Sequence, residues 1–365
     1  MLLSDIIINS CNEILREQKD DGSFLPGWNG PYHDTETPVR NTSHWLITLL
    51  KAFELTNESK YKDAAIKATD YLASAVARPM VASFFCRTNP QKDFCNGLIG
   101  QAWVIEALAT ASRIIEDDAL NKLAKDVFIL HPFEYDVGLW KIVNVDGSYS
   151  SFDKTFNHQL WFAAAGSMIV DGSNSEIKKQ INRFLDQAIK KYLHISRNGR
   201  ISHLIEHSII KSTIIKTITI AINPRRYHQT KKQMKHKEIG YHAFNLYAFA
   251  ILKNYIPEHP IWKNDKFISA LQFVNNQNCI SGLEDNEFAY PYNPTGFEMA
   301  YAMQIFDSKS IHYSNSEEWW VEQQFKRCFD FKRFLMDKNT EDKNTHAARI
   351  YEATRLRDMH LNLTD

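Results

Sequence analysis

The connections between helical segments alternate between plain and elaborate, and that alternation constrains the fold more than any single motif. Apolar residues recur at the spacing of amphipathic helices. Tyr61, Ala64, Ala65, Ala68, Tyr71, Leu72, Ala75 and Val76 share one face of 58–78. Trp45, Leu46, Leu49, Leu50 and Phe53 share one face of 42–55, behind the capping residue types Asn41, Thr42 and Ser43. The same reading gives helices over 1–18, 97–115, 117–129, 155–170, 174–192, 241–254, 262–276, 296–306, 316–335 and 343–357. Every second helix is preceded by a long connection, over 19–41, 79–96, 130–154, 193–240 and 277–295. Long loops are uncommon in compact domains unless they carry function. Helix hairpins decorated at one end predict an all-α fold, an (α/α)6 barrel or six-hairpin toroid filling residues 1–365 as one domain. The even helices form its inner ring, and the long loops gather at their N-terminal ends. Small β excursions are expected there. The β-branched stretch 199–221 lies within a rim insertion over 193–240, and a hairpin around Asp146-Gly147 joins Leu139 to Phe152.

Composition narrows the function classes. Lys+Arg and Asp+Glu both number 43, so no basic excess exists to track a phosphate backbone and nucleic acid is not an expected partner. The N-terminus has no basic region before its apolar residues and no small-residue cleavage site, and reads as a helix rather than a signal peptide. No apolar run approaches the ~20 residues of a membrane span. Five cysteines without CxxC or Cys-His pairing point to reduced thiols and a cytoplasmic setting. A monomer or homodimer is expected, with no cofactor.

The predicted rim is rich in stacking and hydrogen-bonding groups. The stretch from Gly27 to Trp45 alone holds Trp28, His33, Asp34, Glu36, Arg40, His44 and Trp45. Asn96 and Gln101 open the second inner helix, and Trp140, Asp153, Asn157 and His158 lead into the third. Glu206, Tyr241, His242 and Tyr290 come from the later loops. Aromatic faces beside carboxylates suit a sugar ring, with its apolar C–H faces and hydroxyl edges. Asp153, Asp34, His158 and His242 are the catalytic candidates, and the others are candidates for substrate contact. Among the cations Arg40 is the first choice for ligand contact, followed by Arg197, Arg225 and Arg226.

Ordinary structure competes for the same residues. Trp103 and Trp161, near helix starts, fit core packing. Asn41 to Ser43 and Asp153 fit N-caps. His203 and His207 fit the flanks of a strand pair. The run His203 to His207 has His-x-x-Glu-His spacing in a strand-like context, which separates the ligands a zinc helix needs on one face, so no metal is expected. Cys95 near a helix start is the only cysteine with any nucleophile context.

Two motifs resemble a known family. The stretch "NTSHWLITLLKAFELTNESKYKDAAIKATDYL" looks like the first inner and following outer helix of the six-hairpin glycosidases, above all the unsaturated glucuronyl and rhamnogalacturonyl hydrolases. The stretch "FDKTFNHQLWFAAAG" is similar to their segment carrying a catalytic aspartate with an asparagine four residues later. The resemblance covers residues 20–170 by motif. It implies a uronate-containing oligosaccharide or glycan as substrate, with Asp153 as general acid/base and Asn157 beside it. Such an acid must first protonate carbon and then activate water, so burial by Trp and Tyr is expected to raise the Asp153 pKa. That family has a second aspartate where this chain reads Phe94-Cys95-Asn96-Gly97. Asn96 therefore departs from the pattern, unless Asp34 or Glu36 substitutes for the missing acid. The chain also resembles uronate-processing helical proteins of surface-glycan clusters.

Two other classes stay open. His158 and His242 as a base pair would make an epimerase or lyase, and loss of the acid would leave a glycan-binding protein. "FCNGLIG" is similar to a lanthionine cyclase segment whose completing Cys-His-Gly is missing. "QKDDGSF" is similar to terpene cyclase repeats whose aspartate-rich motifs are missing.

Overall fold

Helices that are apolar on nearly every side can only be placed inside a molecule, whereas helices with one apolar stripe can cover them. The computed structural model sorts the chain this way. It describes residues 1–170, 172, 175–188, 190, 196, 198–205, 224–307 and 311–363. Helix α1 (Leu3–Ile14) is followed by α2 (Val39–Thr56) and α3 (Ser59–Ala73). Next come α4 (Gly97–Ile115), α5 (Asp118–Leu130), α6 (Phe156–Ser167), α7 (Glu176–Gln187) and α8 (Pro224–Gly240). The chain continues through α9 (His242–Tyr255), α10 (Asp265–Gln272), α11 (Gln277–Leu283), α12 (Thr295–Ile305) and α13 (Glu317–Cys328). It ends in α14 (Lys343–Ala348), which tightens into a 3-10 turn over Arg349–Arg355.

α2, α4, α6, α9, α12 and the α14 segment pack in that order around a ring, and the last contacts the first. α1, α3, α5, α7 and α13 lie against them from outside. This is the (α/α)6 toroid expected. α4 shows how composition and place agree. Contrary to the sequence reading that no run approaches a membrane span, its 19 residues are long and apolar enough to cross a membrane by composition alone, and its position between α2 and α6 accounts for that apolarity.

Several boundaries differ from the sequence reading. α2 starts at Val39, so Asn41, Thr42 and Ser43 lie inside its first turn rather than capping it. Their side chains hold the neighbouring chain instead. Asn41 donates to the Leu25 carbonyl and Thr42 accepts from the Phe24 amide. Residues 224–240, expected within a loop, are helical. The hairpin at Asp146-Gly147 is present as β2 (Leu139–Val143) and β3 (Tyr149–Phe152), with β1 (Phe133–Glu134) on its other edge. Of the β stretch over 199–221, the described part contains a single bridge, Thr155 to Leu204, and 206–221 lies outside the described residues.

The elaborate first loop is stitched to the last ring segment. Buried Asp342 accepts from the amides of Trp28 and Gly30, both at 2.9 Å, and from the Thr345 amide at 3.3 Å. Gly27 is required at this junction, because a Cβ there would lie 1.9 Å from Thr345 Oγ1 and 2.3 Å from Asp342 Oδ1. The five cysteines are free and buried, and burial raises the thiol pKa of Cys95, which removes it as a nucleophile.

Candidate functional site

The N-terminal ends of the ring helices surround a cavity of about 200 Å³. Arg40 of α2, Trp103 of α4, Asn157 and His158 of α6, Phe244 of α9 and Arg349 of the last segment line it. Asn293, just before α12, joins them, so every ring segment or its approach contributes. The long loops add Asn29, Tyr32, Asp34, Arg87, Lys92, Asn96, His203, Tyr241 and Tyr292, and α8 adds Lys237. A second cavity, about 430 Å³, lies at the opposite ends of the ring helices beside Lys51, Glu54, Arg113 and Arg355. Most of its charges are already paired: Glu54 with Lys51 and Arg113, and Arg355 with Glu106 behind the lining, which leaves Asp118 as the remaining lining carboxylate. The chemistry is therefore sought at the first cavity.

An aspartate–histidine pair dominates it. Asp153 sits behind the lining, 6% exposed, and His158 lines the cavity. His158 Nδ1 lies 2.8 Å from Asp153 Oδ2. The same oxygen accepts from the Leu98 amide at 3.2 Å, and Oδ1 accepts from the Thr155 amide at 3.0 Å. Gly97, at φ +56°, gives the carboxylate its space, because a Cβ there would lie 2.4 Å from Oδ2. Burial alone would raise the Asp153 pKa, but His158 and the two amides outweigh it and the net shift is downward. This reverses the expectation of a raised, proton-donating Asp153. In the neutral imidazole the ionised carboxylate holds the proton of His158 on Nδ1, which leaves the lone pair on Nε2.

The carboxylate within the lining itself is equally fixed. Asp34 accepts from Arg87 at 3.0 Å, Lys92 at 2.8 Å and Asn89 at 2.7 Å. Burial raises its pKa, but these three partners prevail and hold it below the usual value. Glu36 does not line the cavity. It lies behind Arg40, 3.1 Å from NH1, and neutralises the cation chosen as substrate clamp. Arg40 also donates to Asn29 Oδ1 at 2.9 Å and stacks over Trp103, 4.1 Å from the ring centroid. Arg349 is committed as well, to Glu298 at 3.1 Å, Glu352 at 2.5 Å and Asn293 at 2.6 Å. Burial raises both glutamates, and the charge of Glu352 raises Glu298 further while the hydrogen bond from Glu298 holds Glu352 down, so the pair holds a proton beneath that guanidinium.

Asp153, Asp34, His158, Arg40, Asn96, Asn157 and Tyr241 are brought together. Other candidates are placed elsewhere. Trp45 packs on Phe24 in the core, and Trp140 is surrounded by Phe128, Phe133, Phe162 and Phe184, with its indole N–H on Gln180. Tyr290 is buried under Arg327. His242 faces away, bonded to the Ala270 carbonyl at 2.9 Å and the Ile201 amide at 3.4 Å, and burial lowers it to about 4. His44 stacks on Tyr351 beneath the lining, and Gln101 braces the Phe84 amide and Cys95 carbonyl. Trp28 and His33 lie outside the lining, with Trp28 42% exposed and His33 paired with Glu341. Glu206, Arg197 and the Arg226 side chain lie outside the described residues, and Arg225 is exposed on α8. Large rings near ring-helix starts went to the core because that is where they bury most apolar area.

Sequence reasoning passed over His203, Lys237, Tyr32, Tyr292, Asn29 and Asn293 as site residues. His203 is buried, its Nδ1 has no partner among the described residues, and burial with Lys237 and His158 nearby holds it neutral. Tyr32 and Tyr241 share a 2.8 Å hydroxyl bond, and the Tyr292 hydroxyl donates to Asn29 at 2.7 Å. Asn293 opens the polar and aromatic stretch "NPTGFEMAY" at the start of α12, and Tyr292 immediately precedes it, which was the signal available.

No family model matches the chain. Among solved structures, it superposes on cellobiose 2-epimerase from Bacillus thermoamylovorans with a TM-score of 0.65 at 12% identity, covering 96% of this chain and 98% of that one. It superposes on an unsaturated glucuronyl hydrolase specific for heparin with a TM-score of 0.60 at 11% identity, covering 97% and 95%. At these identities the likeness shows the six-hairpin fold alone. Archaeal glycosylation protein Q of Haloferax volcanii is 42% identical over 371 residues, covering 99% of each chain. Identity at that level along the whole length shows kinship: the chain belongs to the family of archaeal glycosylation protein Q.

Proposed function

We propose that the protein is a sugar epimerase or isomerase that moves a proton at the carbon next to a carbonyl or carboxylate, acting on a uronate-type residue destined for or carried by a glycan. The observation that carries this reading is the 2.8 Å bond between Asp153 and His158 at the wall of the cavity. Hydrolysis by a carboxyl acid needs a protonated carboxyl group, and both Asp153 and Asp34 have lowered pKa values. An imidazole whose Nδ1 is held by a carboxylate can instead act as a general base through Nε2. His158 Nε2 takes the proton, and the C–H electron pair moves toward the adjacent carbonyl carbon to give an enolate. Neutral His203 and the Tyr241 hydroxyl are the lining groups able to return a proton to that carbon. Trp103 and Phe244 give the cavity wall apolar surface, and the family relative's place in glycosylation supports a glycan-building context.

The test is proton exchange. Hexuronides and hexuronate oligosaccharides incubated with the enzyme in deuterium oxide are followed by NMR. Deuterium entering at one ring carbon, lost in His158→Asn, supports the reading. Release of a reducing end without deuterium incorporation overturns it in favour of hydrolysis.

A further inference from the structure

The cations of the cavity differ in what they are already bound to. Arg40 is matched by Glu36, Arg349 by Glu298 and Glu352, and Arg87 and Lys92 by Asp34, with Asp93 also on Arg87. Lys237 lines the same cavity, and no carboxylate pairs with it among the described residues. Its ammonium instead sits among aromatic rings, 4.8 Å from the centroid of Tyr32, 5.7 Å from Tyr241 and 5.6 Å from Phe288. These rings come from the first loop, the start of α9 and the approach to α12, so three separate parts of the chain fix the position of one amine.

Rings of this kind attract a cation by their faces without cancelling its charge for a second, anionic partner. Burial and the nearby Lys92 lower the Lys237 pKa to about 8, which shows an ammonium short of solvation and of counter-charge. The groups around it are Tyr32, Tyr241, Lys92 and His203, with Glu287 beyond Tyr32 and engaged by His236. His203 feels both Lys237 and His158, so the amine and the proposed base serve one cavity.

We propose that Lys237 is the residue that recognises the anionic group of the substrate, pairing its caged ammonium with a sugar carboxylate and so setting a preference for uronates over neutral sugars. The inference rests on the function proposed above and adds the group that selects the substrate. A carboxylate there sits next to the carbon that loses its proton, and the ammonium stabilises the charge that develops on its oxygens. The arginines fix the walls.

Binding of methyl β-glucuronide, methyl β-glucoside and glucose 1-phosphate is measured by calorimetry on the full chain, for the unmodified protein, Lys237→Met, Lys237→Arg and His158→Asn. Glucuronide is expected to bind the unmodified protein more tightly than glucoside. Lys237→Met is expected to lose about ten- to a hundredfold of that affinity, the worth of a charge-assisted hydrogen bond, with glucoside binding unchanged. Lys237→Arg keeps part of the preference, and His158→Asn keeps it all while losing deuterium exchange. The proposal is overturned if Lys237→Met, folded by circular dichroism, binds glucuronide as the unmodified protein does, or if that protein shows no preference for glucuronide over glucoside. Tighter, Lys237-dependent binding of glucose 1-phosphate would assign the anion to a phosphate and overturn the carboxylate assignment. Lys237-dependent glucuronide binding without any deuterium exchange would sink the proposed reaction and leave the anion site standing.

Discussion

Replacing Asp153 by Asn removes one charge and leaves the number of heavy atoms unchanged, and its consequences follow from three hydrogen bonds. In the native protein Oδ1 takes the Thr155 amide, and Oδ2 takes the Leu98 amide and His158 Nδ1. An asparagine that keeps its oxygen on Thr155 must present its NH2 to two donors. The Leu98 amide is then left unsatisfied in a buried place, and His158 must flip its proton to Nε2 to accept from the new amide. Losing two bonds to a charged acceptor, partly offset by the new one, costs about 2–4 kcal/mol. The flipped tautomer points its proton into the cavity, so exchange should fall about 10²- to 10⁴-fold, the range for removing a general base. Thermal melting and deuterium exchange measure the two effects separately. The sign with pH is fixed too. The folded pKa of Asp153 lies below its ordinary 3.8, so its stabilisation is complete above that value and is lost as pH falls through the lower folded one. The stability gap between D153N and the native protein should therefore be constant near neutrality and close in acid. A gap that widens in acid, or a variant that exchanges deuterium at the native rate, would refute the reasoning.

Gly97→Ala should lose exchange activity about a hundredfold and destabilise the fold by about 2 kcal/mol or more, because its Cβ displaces the Asp153 carboxylate and an L-residue is strained at φ +56°; kinetics and melting on the same preparation check both. Trp140→Ala should cost about 3–5 kcal/mol and leave glucuronide affinity unchanged in whatever fraction folds, whereas Trp28→Ala should alter neither quantity, since one ring is core and the other is exposed outside the cavity. Glu106, 2.8 Å from Arg355, is nonetheless pushed up to about 7 by burial, so stability should decline as pH rises from the unfolded value toward 7; Glu106→Gln should flatten that decline in denaturant titrations.

The helix hairpins were legible because an amphipathic period survives in outer helices such as 59–73, and because Asp146-Gly147 and the loop lengths punctuate the chain. The site was only partly legible. Asp153 and Asn157 could be read from a motif, but the direction of the aspartate's pKa shift could not, since it depends on His158 and the Leu98 amide, the latter 55 residues away. Ring helices are buried on every side, so their sequences carry no contrast between the face toward the cavity and the face toward the outer layer. Trp45 and Trp103 illustrate the loss: both sit in ring helices near their starts, and one packs on Phe24 while the other lies under Arg40. Lys237 was hidden for a different reason. Its helix reads as a polar, solvated segment, and only the tertiary approach of Tyr32 and Phe288 makes it part of the cavity.

The stitching of the first loop to the last ring segment bears on how the molecule is made. Residues 1–4 also pair with 358–361, through the Met1 terminus on the Leu361 carbonyl, the Leu2 to His360 bridge and the Ser4 contacts with Asp358. A ribosome therefore releases Asn29 and Arg40 some three hundred residues before the Asp342 and Arg349 that complete the same cavity. Until then the flanks of α2 and α12 between which the last ring segment packs stay open to water and to other nascent chains. Binding competence thus reports closure of the whole circle, and a chaperone acting on this protein would have to shelter those two flanks until the last ring segment has emerged.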